Sequence, residues 1–136
     1  MSDPKQVIVV RKDLNMRRGK ECAQAAHASM KVFFDRMRQE TYEHAGSSEG
    51  VRWVCDMTPE METWKQGIFT KIVVSCNSLA ELLKLQRQAE DAGIPCAVIE
   101  DCGRTEFDNV KTVTCLAVGP ASPEKVDAIT GHLPLR

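Results

Sequence analysis

Val7 to Val10, in the run Gln6-Val-Ile-Val-Val10, has no polar interruption, which predicts a strand covered on both faces rather than a half-exposed one. Asp13 to Gly19 reads as a loop. A long helix is predicted over 20–39, with Cys22, Ala26, Met30, Phe33 and Met37 at i, i+4, i+8, i+11 and i+15 marking its core face. Residues 40–57 carry no clear period. Gly46 to Gly50 is loop material there, and Val51 to Cys55 fits helix or strand equally. Thr58-Pro59-Glu60 has the cap-then-proline pattern of a helix start, and Gly67 ends that short helix. Phe69 to Cys76 predicts a second strand. Ser78 and Glu81 form a capping box that opens a helix to Ala92, with Gly93 supplying the turn beyond it. Pro95 to Glu100 and Lys111 to Val118 predict two more strands, and Ser122-Pro123 starts a last short helix that Gly131 closes.

The order β-α-α-β-α-β-β-α puts helices on both faces of a small sheet. Helical crossovers favour parallel neighbours, and the short link between the last two strands allows an antiparallel pair. The expectation is an α/β three-layer sandwich around a four-stranded mixed sheet. At 136 residues it forms a single domain, 1–136, with 40–57 as an insertion.

Composition changes this picture little. Hydrophobic residues at 43% and charged residues at 27% fit an ordinary globular chain and exclude disorder. No apolar run approaches the roughly 20 residues of a membrane span, and the N-terminus lacks an apolar signal core, so a cytoplasmic protein is expected. The six cysteines form no CxxC pair and the three histidines stand at no ligand spacing, which argues against a zinc site. Cys76, Cys96 and Cys115 lie in apolar segments and read as reduced core thiols. Charge is more informative. Residues 1–39 carry nine Lys/Arg against four Asp/Glu, although the whole chain has a net charge of −1. A basic third on a near-neutral protein points either to a local phosphate site or to a solvated helix face.

Two stretches can carry chemistry. On a helix, Lys20, Gln24, His27 and Lys31 fall within a stripe roughly 60° wide at about 100° per residue. An amide, an imidazole and two lysines thus project together, with Lys20 in a first turn that favours anions. A plain polar face would give the same pattern. The second stretch, Asp101-Cys-Gly-Arg-Thr105, lies just past a strand's carboxyl end, where open α/β sheets gather ligands. Gly103 allows a tight turn from which Asp101, Arg104 and Thr105 fan out. The alternative is an Asp–Arg pair that stabilises a turn. A phosphate-binding P-loop and a nucleophile elbow are both missing.

Together these stretches resemble the archaeal/eukaryotic-type peptidyl-tRNA hydrolase family. The resemblance covers Lys5 to Leu14, the Met16 to Ala28 segment containing Gly19, Lys20, Ala23, Gln24, His27 and Ala28, the Asp101 to Thr105 turn, the Thr112 to Pro120 strand and Thr130 to Leu133. Arg17 and Arg18 replace a usual Gly and Lys, Ser75 a frequent lysine, and Glu106 a usual Gln. The resemblance implies hydrolysis of the ester between a peptide and the 3′ ribose of its tRNA, without metal or cofactor, by a possible homodimer. It implies that Asp101 orients or deprotonates water. Lys20 would stabilise the oxyanion or hold the terminal phosphate, with Gln24 as an added donor. Thr105 and Thr114 would position the ester, and His27 is an alternative base. Arg17, Arg18, Lys31 and Arg104 would bind the tRNA. The competing reading is a non-catalytic RNA- or protein-binding module on the same fold.

Overall fold

The computed structural model describes residues 3–43, 49–104 and 106–136. Its sheet has the order β4-β1-β6-β5. β1 (Lys5–Arg11) lies in the middle, parallel to β4 (Lys71–Cys76) and antiparallel to β6 (Thr112–Ala121). β5 (Cys96–Asp101) is the far edge and runs antiparallel to β6. The mixed sheet expected from the sequence is therefore present, with β6 ending three residues later than predicted.

α1 (Arg18–Phe34) and α2 (Pro59–Gln66) cover one face, where Ala28, Val32 and Met61 meet Ile8, Val10, Cys115 and Ala117. α3 (Leu79–Asp91) and α4 (Pro123–Thr130) cover the other, where Leu82, Leu85, Val126 and Ile129 meet Val7, Val9, Leu116 and Val118. The alternate residues of β1 thus feed two cores, and its continuous apolar run follows from that. Buried Gln6 ties the layers together. Its amide donates to the Ser29 carbonyl at 3.3 Å and the Gly119 carbonyl at 3.2 Å, and its oxygen accepts from Ser29 Oγ at 2.5 Å. A buried polar side chain is tolerated because each of its groups has a partner.

Helix ends follow the local signals. Thr58 Oγ1 accepts from Met61 N–H, and Ser78 Oγ from Glu81 N–H, each at 3.1 Å. The Glu81 carboxylate reaches back to Asn77 N–H at 2.9 Å, one residue before the expected donor. Beyond α4 the chain returns along β4, with Ser75 N–H donating to the Pro134 carbonyl and Arg136 N–H to the Val73 carbonyl, each at 3.0 Å. That contact covers the exposed edge of β4.

Two expectations need correction. The first helix stops at Phe34, and residues 37–43 form β2 (Met37–Glu43), paired antiparallel with β3 (Glu49–Cys55) as a separate hairpin. The helical spacing of Met37 was accidental. Its neighbours Thr41, Tyr42, Val51, Trp53 and Val54 suit a pleated ribbon, and cross-strand pairing outweighs helix propensity. Glu49 and Gly50 are strand too, while the loop predicted at 46–48 lies outside the described residues. The core face of α1 also differs. Gln24, Ala28 and Val32 are buried, whereas Cys22, Ala26 and Met30 are exposed. The helix carries two apolar stripes, and the one beside the polar stripe faces the sheet because the polar groups there find partners.

Candidate active site

β1, β4 and β5 run in one direction, so their carboxyl ends open on one edge of the sheet. The short connection after β1, including a single 3-10 turn at Lys12–Leu14, delivers the first turn of α1 to that edge. Asp101 is the last residue of β5 rather than the first beyond it. Lys20 Nζ donates to Asp101 Oδ1 at 2.9 Å, and Gln24 Nε2 donates to the same oxygen at 3.3 Å. The backbone N–H of Gly103 donates to Asp101 Oδ2 at 2.9 Å. The Lys20 and Asp101 side chains are 13% and 11% exposed, so the pair is shielded yet reachable.

Behind them Thr114, fully buried on β6, donates its hydroxyl to Gln24 Oε1 at 2.5 Å. This bond orients the Gln24 amide, because with its oxygen on Thr114 its NH₂ group faces Asp101. A chain Thr114–Gln24–Asp101–Lys20 therefore runs from the core to the surface. Phe107 closes one side, its ring centroid 5.7 Å from Lys20 Nζ.

Burial pushes the Asp101 carboxyl up, but the Lys20 hydrogen bond, the Gly103 N–H, the Lys20 charge and the Gln24 amide outweigh it. The carboxyl is held below its ordinary value and stays ionised at neutral pH. Such a carboxylate is a weak base and a good acceptor.

The other expected site residues are scattered. Arg18 and Arg104 are exposed on the segments that border the cluster. Arg17 Nε lies 3.3 Å from Glu106 Oε1, and its side chain is 84% exposed. Lys31 pairs with Asp35 at 2.8 Å, well along α1 from Lys20. His27 is exposed two turns beyond Lys20, and no hydrogen bond or ion pair among the described residues joins it to Asp101. Its exposure excludes a buried structural role for the imidazole. Thr105 lies outside the described residues.

Three features of the site escaped the sequence. Glu106 accepts the Arg17 backbone N–H at 3.3 Å, so its charge is directed at the positive end of α1 rather than at the opening. The Gly103 N–H acts on Asp101 directly. Phe107, a lone aromatic in a polar turn, forms a wall, and an aromatic out of place in a loop was its only signal.

A lysine–amide–carboxylate cluster at the carboxyl edge of a mixed α/β sheet marks a single-domain α/β protein with a candidate active site, and comparison with known proteins narrows it. The family model described as peptidyl-tRNA hydrolase PTH2 matches residues 4–136. Peptidyl-tRNA hydrolases of Haloquadratum walsbyi and Methanocaldococcus jannaschii are 41% and 35% identical over 131 residues, each comparison covering 96% of this chain and 98% of the relative. That of Aeropyrum pernix is 40% identical over 131 residues, covering 96% of this chain and 94% of its own. A solved structure of a protein of unknown function from Agrobacterium tumefaciens strain C58 superposes with a TM-score of 0.56 at 14% identity, covering 100% of this chain and 99% of that one, which speaks to the fold alone. The chain belongs to the peptidyl-tRNA hydrolase PTH2 family. It is on that ground an ester hydrolase of peptidyl-tRNA.

Proposed function

We propose that the Lys20–Asp101–Gln24 cluster is where the peptidyl-tRNA ester is cut. The observation that carries this reading is the convergence of a lysine, an amide and a carboxylate on one partly shielded point, fixed from behind by Thr114. Ester hydrolysis needs a placed water and a donor for the developing oxyanion. Asp101, with its lowered pKa, accepts a hydrogen bond from the attacking water and orients it, rather than removing its proton in a separate step. Lys20 and the Gln24 NH₂ lie beside it and donate to the carbonyl oxygen as negative charge builds there. Thr114 is buried below Gln24, so it positions that amide and does not touch the ester. Arg18, Arg104 and the exposed Arg17 border the opening and take the tRNA phosphates.

Release of deacylated tRNA from an N-acetylated aminoacyl-tRNA tests the assignment by comparing wild type with Asp101→Ala. A collapse of turnover in a folded variant is expected, and wild-type turnover in that variant would move the reaction elsewhere. The family resemblance further implies a homodimer, which sedimentation of the purified chain addresses.

A further inference from the structure

The apolar face of α1 that does not pack on the sheet leads away from the cluster. Ile99 and Asp101 share the face of β5 turned to α1. Ile99 lines an open groove of about 320 Å³ with His27, Met30, Lys31 and Phe34. Phe34 continues into a larger groove of about 600 Å³, whose other walls are Met37 and Trp53. Trp53 stands opposite Gln39 in the hairpin and shares a face with Val51 and Met37. Met30, Phe34 and Trp53 are 53%, 55% and 61% exposed, a continuous apolar surface where a monomer gains nothing from displaying it.

We propose that this groove holds the peptide part of peptidyl-tRNA, with Trp53 and Phe34 gripping apolar side chains of the nascent chain. The proposal rests on the ester lying at Asp101. Charge chooses peptide over tRNA as the occupant. Residues 35–56 carry three arginines against five carboxylates, an unfavourable field for phosphates. The cations nearby are also engaged: Lys31 with Asp35, Arg38 with Asp56 and Glu40, Arg36 with the Asp56 carbonyl, and Arg52 over the Tyr42 ring. Continuity supplies the second argument, because Ile99, two residues before Asp101 on β5, lines the first groove and Phe34 lines both. Length supplies the third. From Gln24 to Phe34 the helix advances about 15 Å at 1.5 Å per residue. An extended peptide covers that distance in about five residues at roughly 3.3 Å each. The fifth residue from the ester is therefore the first to meet Phe34 and Trp53.

The test uses one tRNA charged with N-acetylated peptides of eight residues, apolar or serine-rich from the fifth residue onward, and a set of three-residue peptides. Wild type is expected to favour the apolar eight-residue peptide by about tenfold in kcat/KM, the scale of partly burying one large side chain in an open groove, and to show no such preference among the short ones. Trp53→Ala is expected to bring the ratio to about one, and Trp53→Phe to restore most of it. Trp53 is exposed, and a thermal melt confirms that the variants fold. Four outcomes overturn the proposal: no preference in wild type, a preference that survives Trp53→Ala, an equal loss on both peptides (a tRNA contact), or dissociation of a dimer by Trp53→Ala in sedimentation (a contact between copies). Loss of all cleavage in Asp101→Ala is read separately and bears on the position of the ester.

Discussion

Asp101 is where the physical chemistry of single residues can be read most directly. Its folded carboxyl titrates below the ordinary value of about 3.9. The fold favours the ionised form, so the stability this contributes is complete above the unfolded value and is lost only as pH falls through the lowered one. On the rate, Asp101 should leave no acid limb in the pH profile until below the ordinary carboxylate value. Lys20→Ala should lower turnover by about 10²–10³-fold, the usual loss for one oxyanion donor. It should also move the acid limb to higher pH, because the Lys20 hydrogen bond and charge help to hold the carboxyl down. A pH–rate profile of the variant measures both effects. An acid limb that stays in place would show that Lys20 does not set the state of Asp101. The thiols at Cys76, Cys96 and Cys115 are pushed up by burial, Cys115 to about 12, and act as small apolar groups in the cores.

Among elements, the turn after β5 is the most tightly specified. Gly103 sits at φ +85°, and a Cβ there would stand 2.3 Å from the Val110 carbonyl oxygen. Gly103→Ala should therefore displace the turn, remove the N–H that holds Asp101 Oδ2, and lower activity more than stability. A cost of about 1–3 kcal/mol is expected for the strain. Kinetics beside a thermal melt would check it, and a fully active variant would show that the turn tolerates the change. This turn was legible in the sequence because glycine beside a strand end has a mechanical meaning. So were the four strands, the caps at Thr58 and Ser78, and the pairing of Lys20 with Gln24 on one helix face. The hairpin was not, since Met37 happened to extend a helical period and strand pairing is a long-range property that local spacing does not encode. The orientation of α1 was missed for a related reason. Cys22, Ala26 and Met30 are as apolar as the stripe that is buried, and only the partners on β5 and β6 decide between them. His27 kept its place in the pattern but stands two turns beyond Lys20, because a stripe along a helix is longer than a site.

For the whole molecule, the basic N-terminal third and the hairpin divide the surface. Arg17, Arg18 and Arg104 border the site, while the acidic hairpin lies further along α1. Binding of tRNA should weaken steeply with salt, as counterions return to the phosphates. Filter binding of uncharged tRNA from about 50 to 200 mM salt would show it, and affinity indifferent to salt would exclude a phosphate-led contact. No helix among the described residues is long and apolar enough to cross a membrane.

Strand order has a consequence for how this protein is made. β6 lies between β1 and β5, and it carries Thr114, so a chain still growing toward residue 121 has neither a closed sheet nor a fixed Gln24. Pairings between segments so distant in sequence form late. Throughout its own synthesis the polypeptide is joined to tRNA by the kind of bond it exists to break. With β6 at the centre, the hydrogen bond that orients the Gln24 amide cannot form before residues 112–121 have joined the sheet.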